Sequence, residues 1–376
     1  MSIQSEIDRI ITAVGSAYDA VESKGGTAPA EQTIGGLATA VGTIPTGIAP
    51  QLVVTVSAGA TVTATNGSKT ISGTADSTGV CTLTVPEAGT WSVSATLGGQ
   101  TSNTKTVSIT DSYEVTLNFA SSTLNDNEWS VIKSVSDAGQ GASYWSIGDR
   151  KAVTLNGTVG ALTLSNVTTY VFIIGFNHNS SIEGTNRIHF QLGKTALSGG
   201  TDVALCDRYY DHTGGGFRMN TSNSNSGGWA SSNMRTAICG TSLSSYSGTI
   251  IAVIPAALRA VLKSVTKYTD NTGESSAASA VTATTDYFFL LSEYEVFGTI
   301  RQGNTNESGK QEQYSYYSAG NRKVKYNHGE TSTAVFWWLR SPSAGYSALF
   351  ALARTDGTVT GGSANYSNGF APGFCV

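Results

Sequence analysis

The chain has 376 residues, room for two or three packed domains, and only 13% of them are charged, with Gly, Ser, Thr and Asn filling much of the rest. A net charge of −4 and the absence of any basic cluster leave no field to attract a phosphate backbone, so no nucleic-acid partner is expected. No run approaches the roughly 18 apolar residues of a membrane span, and Glu6, Asp8 and Arg9 interrupt the first apolar pattern in a way a signal peptide does not. The reading is therefore a protein made in the cytoplasm, without membrane insertion; if it works outside a cell, it leaves by lysis or another route that needs no cleaved signal.

Residues 1–48 carry a helical pattern. Ile3, Ile7, Ile10, Val14, Ala17 and Val21 are spaced alternately four and three apart, a heptad seam of nearly three repeats. Ser2 or Ser5 is placed to cap the start, and Gly25-Gly26 ends the pattern. Isoleucine at both seam positions favours more than two strands, hence a homotrimer. The alternative is that this helix folds onto its own neighbour, the apolar stretch Ile34, Leu37, Val41 and Ile44. Pro45, Gly47 and Pro50 then form a linker.

From residue 49 to 119 the period changes to two. Val54, Val56, Ala58 and Ala60 alternate with polar residues, as do Trp91, Val93 and Ala95, and Asn66-Gly67 marks a hairpin. Short strands punctuated every eight to twelve residues predict an all-β, immunoglobulin-like sandwich with Trp91 in its core. Residues 120–376 read as one larger α+β region. Strands are expected at Val131–Val135, Tyr170–Phe176, Ile188–Leu192, Thr249–Ile254 and Tyr287–Leu291, and helices around Ser231–Cys239 and from Pro255 to Val265.

Several residues invite a chemical reading. Glu293 and Glu295 would share one face of a strand, as a glycosidase pair requires, although two charges on a solvated strand look the same. Asp211-His212 has the order of an orienting acid and a base, yet it adjoins Gly214-Gly215-Gly216 in a loop. His178 and His189 flank a polar segment and suit local hydrogen bonds. Cys81, Cys206, Cys239 and Cys375 form no CxxC and no zinc spacing. They are read as buried small apolar residues, with a Cys206–Cys239 bridge as the alternative. No catalytic residue, metal or cofactor is expected.

The C-terminus is different. Phe336-Trp337-Trp338-Leu339-Arg340-Ser341-Pro342 runs into a soft stretch, 343–368, closed by Gly369-Phe370-Ala371-Pro372-Gly373-Phe374-Cys375-Val376. Two aromatic blocks around a polar segment suggest a rigid scaffold holding a displayed surface. These blocks resemble the C-type-lectin-fold variable domains that retroelements diversify in phages and bacteria. Further matching runs are Ile174-Gly175-Phe176-Asn177-His178-Asn179, Gly227-Gly228-Trp229 with Met234-Arg235, and Thr284 to Glu293. The first ten residues similarly look like the start of tail-associated phage proteins.

The resemblance implies a C-type-lectin-like domain over 120–376. Its function would be that of a phage tail-fibre or receptor-binding protein, carried on the virion and displaying a hypervariable face to a host cell-surface receptor, protein or glycan. Other virion tail proteins would be partners. A bacterial cell-surface adhesin with the same domain is one alternative, and a tail-associated glycan hydrolase another. In this family asparagine codons of the form AAY become NNY, which cannot encode Lys, Gln, Glu, Met or Trp. Residues 343–368 contain none of these, although 42 of the 376 residues are of those types; chance alone would do this about one time in twenty.

The variable, ligand-binding positions implied are Ser343, Tyr346, Ala348, Leu349, Leu352, Arg354, Thr360, Gly361, Gly362, Ser363, Asn365 and Tyr366. The scaffold would be Trp337, Trp338, Arg340, Phe370 and Phe374. The Glu-Pro-Asn and Gln-Pro-Asp tripeptides that chelate calcium against a sugar in animal lectins are missing. The implied face of Tyr, Ser, Asn, Leu and Arg is closer to an antibody paratope.

Overall fold

The computed structural model describes residues 2–44, 49–67 and 69–376. Pro45 and Gly47 of the expected linker lie outside them. The chain is a multidomain, mostly β protein with a short helical N-terminus and several sheets. It divides into two compact units, residues 1–97 with 105–117 and residues 98–104 with 118–376.

In the first unit, helix α1 (Ile3–Ser23) starts where the Ser2 side chain accepts the Ser5 N–H. Its C-terminal half packs on α2 (Ile34–Val41) through buried Tyr18 and Val21, which meet Ala40 with Leu37 and Ile44 beside them. The Tyr18 hydroxyl donates to the Thr33 carbonyl, 2.8 Å away. The self-folded alternative therefore describes this half of the helix. The N-terminal half of the seam stays uncovered, with Ile3 83%, Ile7 44% and Ile10 41% exposed.

The β part of this unit has two sheets. In one, Gln51–Thr55 lies between Val80–Thr84, antiparallel, and Ser112–Thr116, parallel. The other runs Lys69–Thr74, Thr61–Asn66, Gly89–Leu97 and Lys105–Ile109, all antiparallel. Period-two burial of Leu52 and Val54, Val62 and Ala64, and Trp91, Val93 and Ala95 supplies the core. At Gly73 a Cβ would come within 2.8 Å of Leu83 Cδ2, so the sheets close on each other there without a side chain.

The second unit centres on a five-stranded antiparallel sheet. Its order is Phe288–Phe289, Gly373–Cys375, Ile188–Lys194, Leu162–Phe176 and Arg150–Val159. The chain's end thus forms an interior strand. Phe374 stacks on Phe190 with 5.3 Å between ring centroids, and Trp129 meets both edge-on. A separate antiparallel sheet is built from Trp337–Pro342, Leu349–Ala353 and Val359–Ser363.

Three expectations need correction here. Val131–Val135 lies in the helix Trp129–Asp137, whose buried Trp129, Ile132, Val135 and Ser136 follow helical spacing. Thr249–Ile254 contains the short helix Ile250–Val253, because a wholly apolar run carries no period to separate helix from strand. The helix expected from Pro255 to Val265 stops at Arg259, and Val265 opens the strand Val265–Asp270. Elsewhere, Tyr287–Leu291 contributes only a two-residue strand, and Met234–Cys239 forms a π-helical turn. All four cysteines are buried and free, so the Cys206–Cys239 bridge is not formed.

Candidate ligand-binding cleft

The two aromatic blocks hold the segment between them. Trp337, Trp338, Arg340, Phe370 and Phe374 are fully buried. Trp338 Nε1 donates to the Phe217 carbonyl and Trp337 Nε1 to that of Lys323, both at 2.8 Å, which satisfies each buried indole. Phe370 stacks on Phe217 at 5.1 Å and exchanges backbone hydrogen bonds with Leu205. Between these anchors the chain runs up Leu349–Ala353 and back along Val359–Ser363, with Leu352 opposite Thr360 and Phe350 opposite Gly362.

A cleft of about 340 Å³ lies along the Val359–Ser363 strand. Leu349, Leu352, Thr360, Gly361, Gly362, Ser363 and Tyr366 line it, together with Tyr210, Phe336 and Asn368. At Gly362 a Cβ would sit 2.3 Å from Leu352 Cδ1, so a side chain there requires Leu352 to shift. Tyr210 enters from a neighbouring loop in the left-handed region, φ 65°, its N–H donating to the Ser367 carbonyl at 2.6 Å. Its ring lies 5.3 Å from that of Tyr366 and 6.3 Å from that of Phe336.

Of the twelve implied display positions, seven meet at this cleft and five do not. Ser343 is buried, which corrects its assignment to an exposed face. Its carbonyl accepts Asn225 Nδ2 at 3.1 Å and its hydroxyl accepts the Gly345 N–H, so it shapes the turn. Ala348 is half-buried, its carbonyl accepting the Ala364 N–H. Tyr346 and Arg354 are exposed on separate loops, Arg354 3.8 Å from Asp356. Asn365 is half-buried with its Oδ1 unpartnered. Leu352 is also buried, only 4% exposed, yet it forms part of the cleft wall.

Sequence reasoning missed Tyr210, Phe336 and Asn368 as cleft residues. The one available signal was the aromatic pair Tyr209-Tyr210 beside a glycine-rich loop. Its proximity to Tyr366 is a tertiary fact.

Glu293 and Glu295 are not on a solvated strand. They open the helix Glu293–Phe297, where Ser292 and Glu295 form a capping box, and both are fully buried. Glu293 accepts the backbone N–H groups of Arg301, Gln302 and Gly303. Glu295 pairs with both Arg340 and Lys267.

Lys267 Nζ lies 2.7 Å from Glu183, 2.9 Å from Glu295 and 2.8 Å from the Tyr314 hydroxyl. His178, Glu183 and Glu295 have ligand atoms within 4.8 Å of one another, a spacing that would suit a metal. The Lys267 ammonium already supplies the cation there. His178 stacks on Tyr314 at 3.7 Å rather than flanking a polar loop. Burial first, and then Lys267, pushes its pKa down to about 3. Burial also drives Glu183 up to about 7, which Lys267 only partly offsets. These groups cross-brace the unit, with Arg340 Nη1 also donating to the Leu290 carbonyl at 2.9 Å. Asp211, the other candidate acid, spends its carboxylate on the turn, accepting from Thr213 and Gly214.

Residues 202–376 match the model of a domain of unknown function (DUF6273). That match spans the cleft and both anchoring blocks and assigns no activity to either. No curated protein matches the chain.

Proposed function

We propose that this chain is a non-enzymatic receptor-binding protein of a phage tail. Its second unit is a C-type-lectin-like head with a retroelement-diversified face, carried on an immunoglobulin-like spacer and a helical attachment segment. One observation carries the reading: seven of the twelve positions that the resemblance implies, from a 26-residue stretch, gather around one cleft on a buried aromatic scaffold. A segment that must tolerate replacement needs its variable side chains outside the core; six of the seven are partly exposed, and Leu352 is the buried exception. The parallel pairing of the first and last strands of the smaller unit fits an immunoglobulin-like topology. In the lectin-like reading the cleft works without calcium, since no carboxylate is among the described residues that line it.

The test uses the full-length protein, fluorescently labelled, on a panel of bacterial isolates from the phage's habitat. Wild type should stain a subset of strains. Tyr366→Ala and Leu349→Arg should each reduce that staining at least ten-fold with little change in melting temperature, since neither side chain is fully buried. Staining unaffected by both substitutions would reject the cleft as the receptor face. Sequencing the flanking DNA gives an independent check: a near-copy of the codons for 337–376 should stand beside a reverse transcriptase gene.

A further inference from the structure

Resting on the receptor-face reading, we infer that the cleft takes an uncharged sugar ring of a surface glycan, held by aromatic stacking and neutral hydrogen bonds. Three features of the lining select that chemistry. First, no Asp, Glu, Lys, Arg or His is among the described residues that line it. A phosphate, carboxylate or ammonium group entering it would lose water without meeting a counter-charge.

Second, three aromatic rings border it. Tyr210 and Tyr366 stand 5.3 Å apart with Phe336 beyond, and Tyr210 is 59% exposed. Such rings offer apolar faces for the C–H side of a pyranose and, in the tyrosines, hydroxyl tips for its edge. Tyr210 is held in place through a strained left-handed backbone and a bond to Ser367, so little ordering is left for binding to accomplish.

Third, Asn368 lines the cleft, is 2% exposed, and its carboxamide Oδ1 has no hydrogen-bond partner. A buried acceptor left unpaired is a cost the fold carries. A ligand hydroxyl that reaches it from the cleft would relieve that cost, and Thr360 and Ser363 are further hydroxyl-bearing residues of the lining. The volume of about 340 Å³ is near the lower end for ligand sites and suits one or two sugar rings.

The probes are an array of neutral and acidic oligosaccharides, and the cell panel after periodate or protease treatment. Wild-type protein should bind a set of neutral oligosaccharides, unaffected by chelator and changing less than two-fold between 0.05 and 0.5 M salt, about the range over which charge contacts are screened. Periodate, which cleaves sugar diols, should abolish cell staining, and protease should not. Tyr366→Phe should keep affinity within about three-fold, because the ring is retained, whereas Tyr366→Ala and Asn368→Leu should each lose ten-fold or more. Asn368→Leu is checked for an unchanged melting temperature. If that variant fails to fold, the Tyr366 pair decides. Cleft-dependent staining that survives periodate but not protease would overturn the glycan inference and leave the receptor reading standing. Binding confined to acidic oligosaccharides would overturn it as well. Staining indifferent to Tyr366→Ala would overturn both.

Discussion

Glu295 and Glu307 are both fully buried, yet their surroundings drive their protons in opposite directions. Burial alone would raise Glu295, but Arg340 and then Lys267 outweigh it and hold the group below the carboxylate range. Glu307 has no such partner in contact: it accepts from Ser341 Oγ at 2.6 Å and from the Asp270 N–H at 3.0 Å, and burial pushes it up to about 7. A carboxyl raised in the folded state stabilises fully below its unfolded pKa and loses that contribution as pH rises through the folded value. Relative to Glu307→Gln, wild type should therefore lose on the order of 3 kcal/mol as pH climbs from about 4.5 to about 7. Urea denaturation of both proteins at several pH values reads this directly. A gap between them that does not move with pH would show that Glu307 titrates normally. The Arg340–Glu295–Lys267–Glu183 chain is a different matter. Removing one member of a buried ion pair typically costs about 3–5 kcal/mol because the other charge is stranded. Arginine 340 thus belongs to the scaffold for electrostatic reasons as much as for packing.

At the scale of elements, α1 presents two faces of one seam. Its second half is occupied by α2, while Ile3, Ile7 and Ile10, with Ile11 beside them at 64% exposure, are exposed among the described residues. A helix of this length is marginal alone, and an isoleucine stripe in water is a site for self-association. The full-length protein should be a homo-oligomer, a trimer by the isoleucine preference. Changing Ile3, Ile7 and Ile10 together to serine should shift it toward monomer in light scattering, with α2 and Tyr18 still packed. A monomeric wild type would remove the idea, and an oligomer untouched by the triple substitution would move the interface elsewhere on the chain. The cleft sheet is the complementary case. Its glycines at 361 and 362 carry no side chain against Leu349 and Leu352 of the adjacent strand, so the element that looks emptiest in sequence helps to shape the concavity.

On the scale of the whole molecule, each compact unit has its own buried core, with Trp91 fully buried in one and Phe374 in the other. Separate cores predict separate unfolding. Calorimetry should resolve two transitions. Trp91→Ala should lower only one and Phe374→Ala only the other, each by the equivalent of about 3–5 kcal/mol. A single transition displaced by both substitutions would mean that the units melt together.

Period-two alternation by itself determined the strands around Val54, Val62 and Trp91, because a sheet buried on one face writes its geometry into neighbouring residues. The heptad spacing determined α1 for the same reason. The bracketing aromatic blocks and the residue types missing from 343–368 pointed to the segment that walls the cleft. Tertiary structure decided the rest. Whether Thr249–Ile254 coils or extends depends on what it packs against, since an apolar run without polar punctuation carries no period, and Val131–Val135 is too short to fix its period without Trp129 and Ser136, which the helix buries on the same face. Whether Glu293 and Glu295 face water or the interior depends on Arg340, 45 residues beyond Glu295, and on Lys267, 28 before it. The cleft itself exists because Tyr210 and Tyr366, 156 positions apart in the chain, are brought within 5.3 Å. No local rule links residues at that separation; only the closing of the sheets around a common core does.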